Sequence, residues 1–220
     1  MPVKAVLFDL DNTLYEYEKC NRAALEAVIG RLSAVFSKPK ETVKEVFDQS
    51  RKKVKEWLKG TAASHSRFLY FQKTVETLKG STDVKLTQDV HHLFWGTYFN
   101  EMELFDGVID FLKMLKEAGI KIAIVSDLTV DTQFKKLSKL GIENYIDFVI
   151  TSEEAGHDKP ANPIFQLALE KLELQKDEIV LIGDDLKDVE GAKEMGFGYI
   201  QVDNNDFRSA VESFKRLNSL

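Results

Sequence analysis

Apolar residues gather into short runs at Val3 to Phe8, Ile120 to Val125, Phe148 to Ile150, Ile179 to Ile182 and Tyr199 to Val202. Runs of strand length without polar alternation predict strands buried on both faces. Between the later runs, apolar positions return with helical period over Val108 to Ala118, Thr129 to Leu140, Pro163 to Leu172 and Val189 to Met195. Gly119, Gly141 and Gly196 stand where helix C-caps belong. Asn162-Pro163 offers a capping side chain and then a proline whose missing N–H costs nothing in a first turn. Strand and helix in alternation predict an α/β fold, a parallel sheet covered on both faces.

One long stretch breaks this rhythm. From about Glu16 to Asn100 the helical period runs through Ala23 to Phe36, Thr42 to Leu58, Arg67 to Leu78 and Gln88 to Phe99, with no convincing strand. The expected organisation is an α/β core made of residues 1–15 and 101–220, with residues 16–100 inserted as an all-helical domain. Charge follows the same division. Residues 16–100 carry 15 basic and 10 acidic side chains, a net of +5, and the remainder 15 basic and 26 acidic, a net of −11. A run such as Arg51-Lys52-Lys53 reads first as a solvated helix face, although the net sign also helps to attract an anionic substrate.

Composition narrows the class. The whole chain of 220 residues has a net charge of −6, which argues against a general nucleic-acid binder. A chain this long buries roughly 70% of its unfolded surface and folds without staples. The single cysteine, Cys20, excludes an intramolecular disulfide and suits a reducing compartment. No apolar run approaches the roughly 18 residues that span a bilayer, and Met1-Pro2-Val3-Lys4 with the run that follows lacks signal-peptide anatomy. The expectation is a soluble cytoplasmic protein with no membrane partner.

Ligands of open parallel sheets bind beyond the carboxyl ends of the strands. There the chain places Asp9-Leu10-Asp11-Asn12-Thr13, Ser126-Asp127, Lys159-Pro160 and Gly183-Asp184-Asp185-Leu186-Lys187-Asp188. Singly, each group is also what turns and helix caps select. Together, Asp9, Asp11, Asp184 and Asp188 would repel one another at one edge unless they share a cation or a proton. Oxygen ligands without His or Cys point to magnesium. Ser126 and Lys159 add a hydroxyl donor and a positive charge suited to phosphate oxygens, so the set suggests phosphoryl transfer.

These four groups, in this order, resemble the four motifs of the haloacid dehalogenase-like (HAD) hydrolase superfamily, over residues 1–14 and about 104–202. The helical insert falls where that family places a cap domain of the first type. The resemblance implies a Rossmann-like core and a two-step reaction. Asp9 is then the nucleophile, forming an aspartyl-phosphate, and Asp11 protonates the leaving alcohol and later takes a proton from water. Asp184 ligates Mg2+ directly, together with Asp9 and the backbone carbonyl of Asp11, while Asp185 and Asp188 orient it or its waters. Ser126 and Lys159 bind the phosphoryl oxygens, with Asp127 beside them, and the backbone N–H groups near Leu10 and Asp11 face the phosphate.

Two departures stand out: Asn12 replaces a frequent glycine, and Asp127 stands where asparagine commonly follows the serine. The three residues between Asp184 and Asp188 leave open which of Asp185 and Asp188 is nearer the metal. Among reactions of this superfamily, Asp11 favours a phosphatase over a 2-haloacid dehalogenase, because a halide needs no general acid. A sugar-phosphate mutase and a catalytically silent phospho-ligand binder are the alternatives. The expected partner is a small phosphorylated metabolite, in a monomer or homodimer. Specificity falls to the cap, where Tyr15, Tyr17, Lys19, Arg22, His65 and Arg67 are candidates. His91-His92 reads as part of a helix face, and Trp57, Phe94, Trp95 and Phe99 have spacings that suit the core of the insert.

Overall fold

The computed structural model describes residues 3–202 and 206–218. Met1 and Pro2, part of the stretch expected to lack signal-peptide anatomy, lie outside them. The chain divides into two compact units, one of Met1–Tyr17 with Glu103–Leu220, the other of Glu18–Met102. Against the expected 16–100, the second unit begins and ends two residues further along the chain, and its N-terminal flank is tied to the first unit. Tyr15 forms backbone bridges with Asp11 and Leu104, and the Tyr17 N–H donates to Oδ1 of Asn12 at 3.0 Å.

The helical unit contains α1 (Tyr17–Phe36), α2 (Lys40–Trp57), α3 (Arg67–Lys79) and α4 (Val84–Asn100). Ser66 and Asp83 cap α3 and α4 by accepting the N–H groups of Leu69 and Leu86, as short polar side chains do at this position. Its core is aromatic: Phe71 packs against Phe47 at 5.8 Å and against Phe94 at 5.4 Å between ring centroids. Trp57, expected in that core, is 68% exposed. It is the last residue of α2, where the helix no longer holds a side chain against its neighbours.

The other unit is built on five parallel strands, β1 (Ala5–Phe8), β2 (Lys121–Ser126), β3 (Phe148–Thr151), β4 (Ile179–Gly183) and β5 (Gly198–Gln201), in the order β3-β2-β1-β4-β5. Every residue of β1 and β4 is buried, which explains runs without alternation. Around the sheet lie α5 (Val108–Glu117), α6 (Val130–Leu140), α7 (Ser152–Ala155), α8 (Asn162–Leu172), α9 (Leu186–Met195) and α10 (Phe207–Asn218). Leu7 and Ala5 belong to a cluster with Ile164, Phe165 and Ala168 of α8 and Ala192 of α9. Phe8, pointing the other way as strand alternation requires, meets Phe111 of α5 and Phe207 of α10. Burying each such side chain stabilises the fold by roughly 1.5–3 kcal/mol.

One expected helix cap differs in the structure. Asn162 does not cap α8: Ala161 occupies that position without a side-chain bond, and the Asn162 amide donates instead to Glu194 of α9 at 2.9 Å. The strand order matters most for function. From β1 the chain lays β2 and β3 to one side and β4 and β5 to the other, so the connections diverge beside the carboxyl end of β1. Such a switch point opens a crevice for a ligand.

Candidate active site

Three strands, β1, β2 and β4, deliver a polar residue to this edge. Asp9 follows β1 directly and its N–H donates to Ile182 of β4 at 2.9 Å, which fixes its backbone in the sheet. Ser126 ends β2 and Asp184 follows β4. The chain after Asp9 turns sharply through Asn12, whose φ of +60° is a conformation asparagine tolerates. Asp185 begins α9 as its N-cap, and Asp188, one turn later, points back at the end of β4. A Cβ on Gly183 would lie 2.5 Å from Oδ2 of Asp188; glycine is what lets this carboxylate approach.

Lys159 organises the centre. Its Nζ lies 2.5 Å from Oδ1 of Asp9, 2.8 Å from Oδ1 of Asp188 and 3.3 Å from the carbonyl of Val125, and all three of these side chains are buried. Burial pushes Asp9 well above the usual carboxylate range, and the charges of Asp188 and Asp11 add to this while Lys159 opposes it. Burial alone would lower Lys159, but Asp188, Asp9 and Asp127 outweigh it and hold the ammonium well above its usual value. Asp184 is pushed up to about 6, by burial first and then by Asp188. Thr13 links the two strand ends, with Oγ1 at 3.4 Å from Asp9 and 3.3 Å from Asp184.

Asp9, Asp184 and Asp188 offer carboxylate oxygens that lie within 4.8 Å of one another. Oδ2 of Asp188 is buried without a hydrogen-bond partner, a costly state for a charged oxygen. Raised carboxylates, an orphaned oxygen and an all-oxygen donor set fit a hard divalent cation. Asp185 is not part of this cluster: it is exposed, and its Oδ1 accepts the Lys187 N–H at 3.2 Å.

The second aspartate is held apart from Lys159. Both carboxylate oxygens of Asp11 meet Nζ of Lys136, at 2.7 and 2.9 Å, and Oδ1 also accepts the hydroxyl of Tyr15 at 2.5 Å. Ser126 is buried, and its Oγ accepts from Nε2 of Gln133 at 2.6 Å; the same amide reaches the Asp127 carbonyl at 2.8 Å. Since Gln133 occupies an acceptor position of Ser126, the hydroxyl keeps its own donor, which is aimed at the Asp127 carbonyl at 3.4 Å. Asp127 accepts the backbone N–H of Lys159 at 2.8 Å, and burial raises its carboxyl despite Lys159 nearby. Leu10 is fully buried and its carbonyl accepts the N–H of Leu14 at 3.1 Å.

Lys136 and Gln133 are absent from the residues that sequence reasoning selects. Their signal is a mismatch of type and place: 133, 136, 137 and 140 form the buried stripe of α6, and two of the four are polar. Within the helical unit, Arg67 lies 5.9 Å over the rings of Tyr70 and Phe94 and donates to the His65 carbonyl. His91 accepts from the Trp95 indole at 3.1 Å.

A parallel sheet of this order with acidic side chains and a lysine at the carboxyl end of its central strand defines a class of hydrolase. The chain belongs to the haloacid dehalogenase-like hydrolases, whose family model matches residues 3–196. It is 39% identical over 214 residues, 96% of this chain and 90% of the other, to ribulose-1,5-bisphosphate 5-phosphatase of Halopiger xanaduensis. It is 29% identical over 201 residues, 91% of this chain and 84% of the other, to glyceraldehyde 3-phosphate phosphatase of Methanopyrus kandleri. Among solved structures, a HAD phosphatase from Thermococcus onnurineus superposes with a TM-score of 0.79 at 26% identity, covering 98% of each chain. Among the described residues no helix is long and apolar enough to cross a membrane.

Proposed function

We propose that this protein is a phosphatase of small sugar phosphates, with ribulose 1,5-bisphosphate the first substrate to test. The observation that carries this reading is the buried pairing of Asp9 with Lys159 beside Asp184 and Asp188. A nucleophilic carboxylate is thereby fixed next to a cation that balances incoming phosphoryl charge. Asp9 attacks phosphorus through a carboxylate oxygen, the bond from phosphorus to the ester oxygen breaks, and Asp11, entering the step as the carboxylic acid, gives that oxygen its proton. Water then attacks the phosphorus of the aspartyl-phosphate, Asp11 takes the water's proton, and phosphate leaves with Asp9 restored.

Ser126 donates its hydroxyl, and Lys159 its charge, to the phosphoryl oxygens, and backbone N–H groups near Leu10 and Asp11 face them. Asp9, Asp184 and the carbonyl of Asp11 are the proposed ligands of Mg2+, with Asp188 beside them. When bound, the ion supplies positive charge that keeps neighbouring carboxylates ionised and stabilises the transferring group. The unit Glu18–Met102 has the role of cap domain. The names of the relatives in Halopiger and Methanopyrus support a phosphorylated sugar or triose as substrate.

The test is phosphate release from ribulose 1,5-bisphosphate, glyceraldehyde 3-phosphate and a panel of other phosphomonoesters, with magnesium or chelator, beside Asp9→Asn. The expected result is magnesium-dependent release that Asp9→Asn lowers by at least about a thousandfold. An Asp9→Asn protein as active as the wild type overturns the covalent mechanism.

A further inference from the structure

The buried stripe of α6 contains a lysine where its period calls for an apolar residue. Lys136 is 1% exposed, between Gln133 and Leu137, although the same helix carries Lys135 and Lys139 in solvent. Removing an ammonium from water is expensive unless a partner compensates. That partner is Asp11: Nζ engages both of its carboxylate oxygens, at 2.7 and 2.9 Å. The same ammonium lies 5.9 Å over the ring of Tyr15, whose hydroxyl donates to Oδ1 of Asp11. The cation next to the nucleophile is a different one, since Lys159 serves Asp9 and Asp188.

We propose that Lys136 is a positioning residue for the proton-transfer group: with Tyr15 it sets the orientation of the Asp11 carboxylate, and so acts on the leaving oxygen only through Asp11. This inference rests on the phosphatase reading. A carboxylate gripped at both oxygens has few orientations available, and proton transfer depends on placing the acid within hydrogen-bond reach of its target. The element that provides the grip lies 125 residues along the chain from the residue it holds.

The consequence is selective. An alkoxide is a poor leaving group and needs its proton during bond breaking, whereas a nitrophenolate departs without one. The experiment compares kcat/KM for ribulose 1,5-bisphosphate, or whichever sugar phosphate the wild type hydrolyses best, with that for para-nitrophenyl phosphate. This constant covers steps only through transfer to Asp9. In Lys136→Met the sugar-phosphate value is expected to fall about a hundredfold and the aryl value less than about tenfold. Lys136→Arg keeps the charge and is expected to recover part of the sugar-phosphate loss. Adding Asp11→Asn to Lys136→Met is expected to cost little more than Asp11→Asn alone, because the two act as one unit.

Equal losses on both substrates, or losses that multiply in the double variant, overturn the inference. Should Lys136→Met not fold, the substrate ratio is read on Lys136→Arg and Tyr15→Phe, and an unchanged ratio in both overturns it equally. Wild-type protein that releases phosphate from neither compound overturns the phosphatase reading instead.

Discussion

The Lys159 ammonium lies 2.5 Å from Oδ1 of Asp9, with both side chains less than a tenth exposed. A contact of this kind is worth most when judged by what its loss would leave behind. Without Lys159, the carboxylates of Asp9 and Asp188 would face each other with no cation and little water.

Lys159→Met is therefore expected to destabilise the metal-free protein by about 3–5 kcal/mol. Chemical denaturation in chelator measures this. Magnesium is expected to recover part of the loss by supplying charge to the same carboxylates, while activity stays low because the phosphoryl oxygens have lost a partner. Denaturation curves for variant and wild type that coincide in chelator would remove the compensating role of this lysine.

Asp127 gives a pH dependence with a definite sign. Its folded-state carboxyl is raised, chiefly by burial. The folded protein therefore holds this proton more tightly than the unfolded chain, and stability associated with it is present at low pH and lost as pH rises through the folded value. Asp127→Asn keeps an oxygen to accept the Lys159 N–H but has nothing to ionise. Relative to wild type, the variant is expected to gain stability as pH is raised from about 4, near the ordinary carboxylate range, to 7. Parallel stability curves for the two proteins over that interval would refute the assignment.

Gly183→Ala tests the close approach of Asp188. The new methyl would meet Oδ2 of Asp188 at 2.5 Å, so the carboxylate must turn away from Lys159. Activity or magnesium affinity is expected to fall about 10–100-fold, as when supporting groups around a metal are disturbed. Stability is expected to fall by roughly 1–3 kcal/mol from overpacking. The magnesium dependence of phosphate release gives the first figure and thermal unfolding the second.

The inner strands were legible because each is an apolar run too short for a helix, and the residues after them were legible because several polar groups fall at strand ends together, although singly each is also what turns and caps select. Asp185 and Asp188 could not be ranked that way. The answer depends on where α9 begins: a start at Leu186 makes Asp185 a cap and places Asp188 one turn later, against Gly183. Lys136 and Gln133 were hidden for a different reason. On an amphipathic helix a lysine reads as solvent-facing until the sheet beneath is known to present Asp11. α10 carries its signal in Phe207, Ala210 and Phe214, all buried at helical spacing.

The central position of β1 also has a bearing on how the chain reaches this fold. Ala5 stands in register with Lys121 on one side and Ile179 on the other, so β1 waits for partners synthesised much later. Until then Ala-Val-Leu-Phe is an unpaired apolar segment, open to association with other chains. The helical unit, whose contacts lie within one continuous stretch, has no such wait and can form during the interval. Asp9 and Asp184 meet only after β4 is in place, which makes catalytic competence a late event in the life of each nascent molecule.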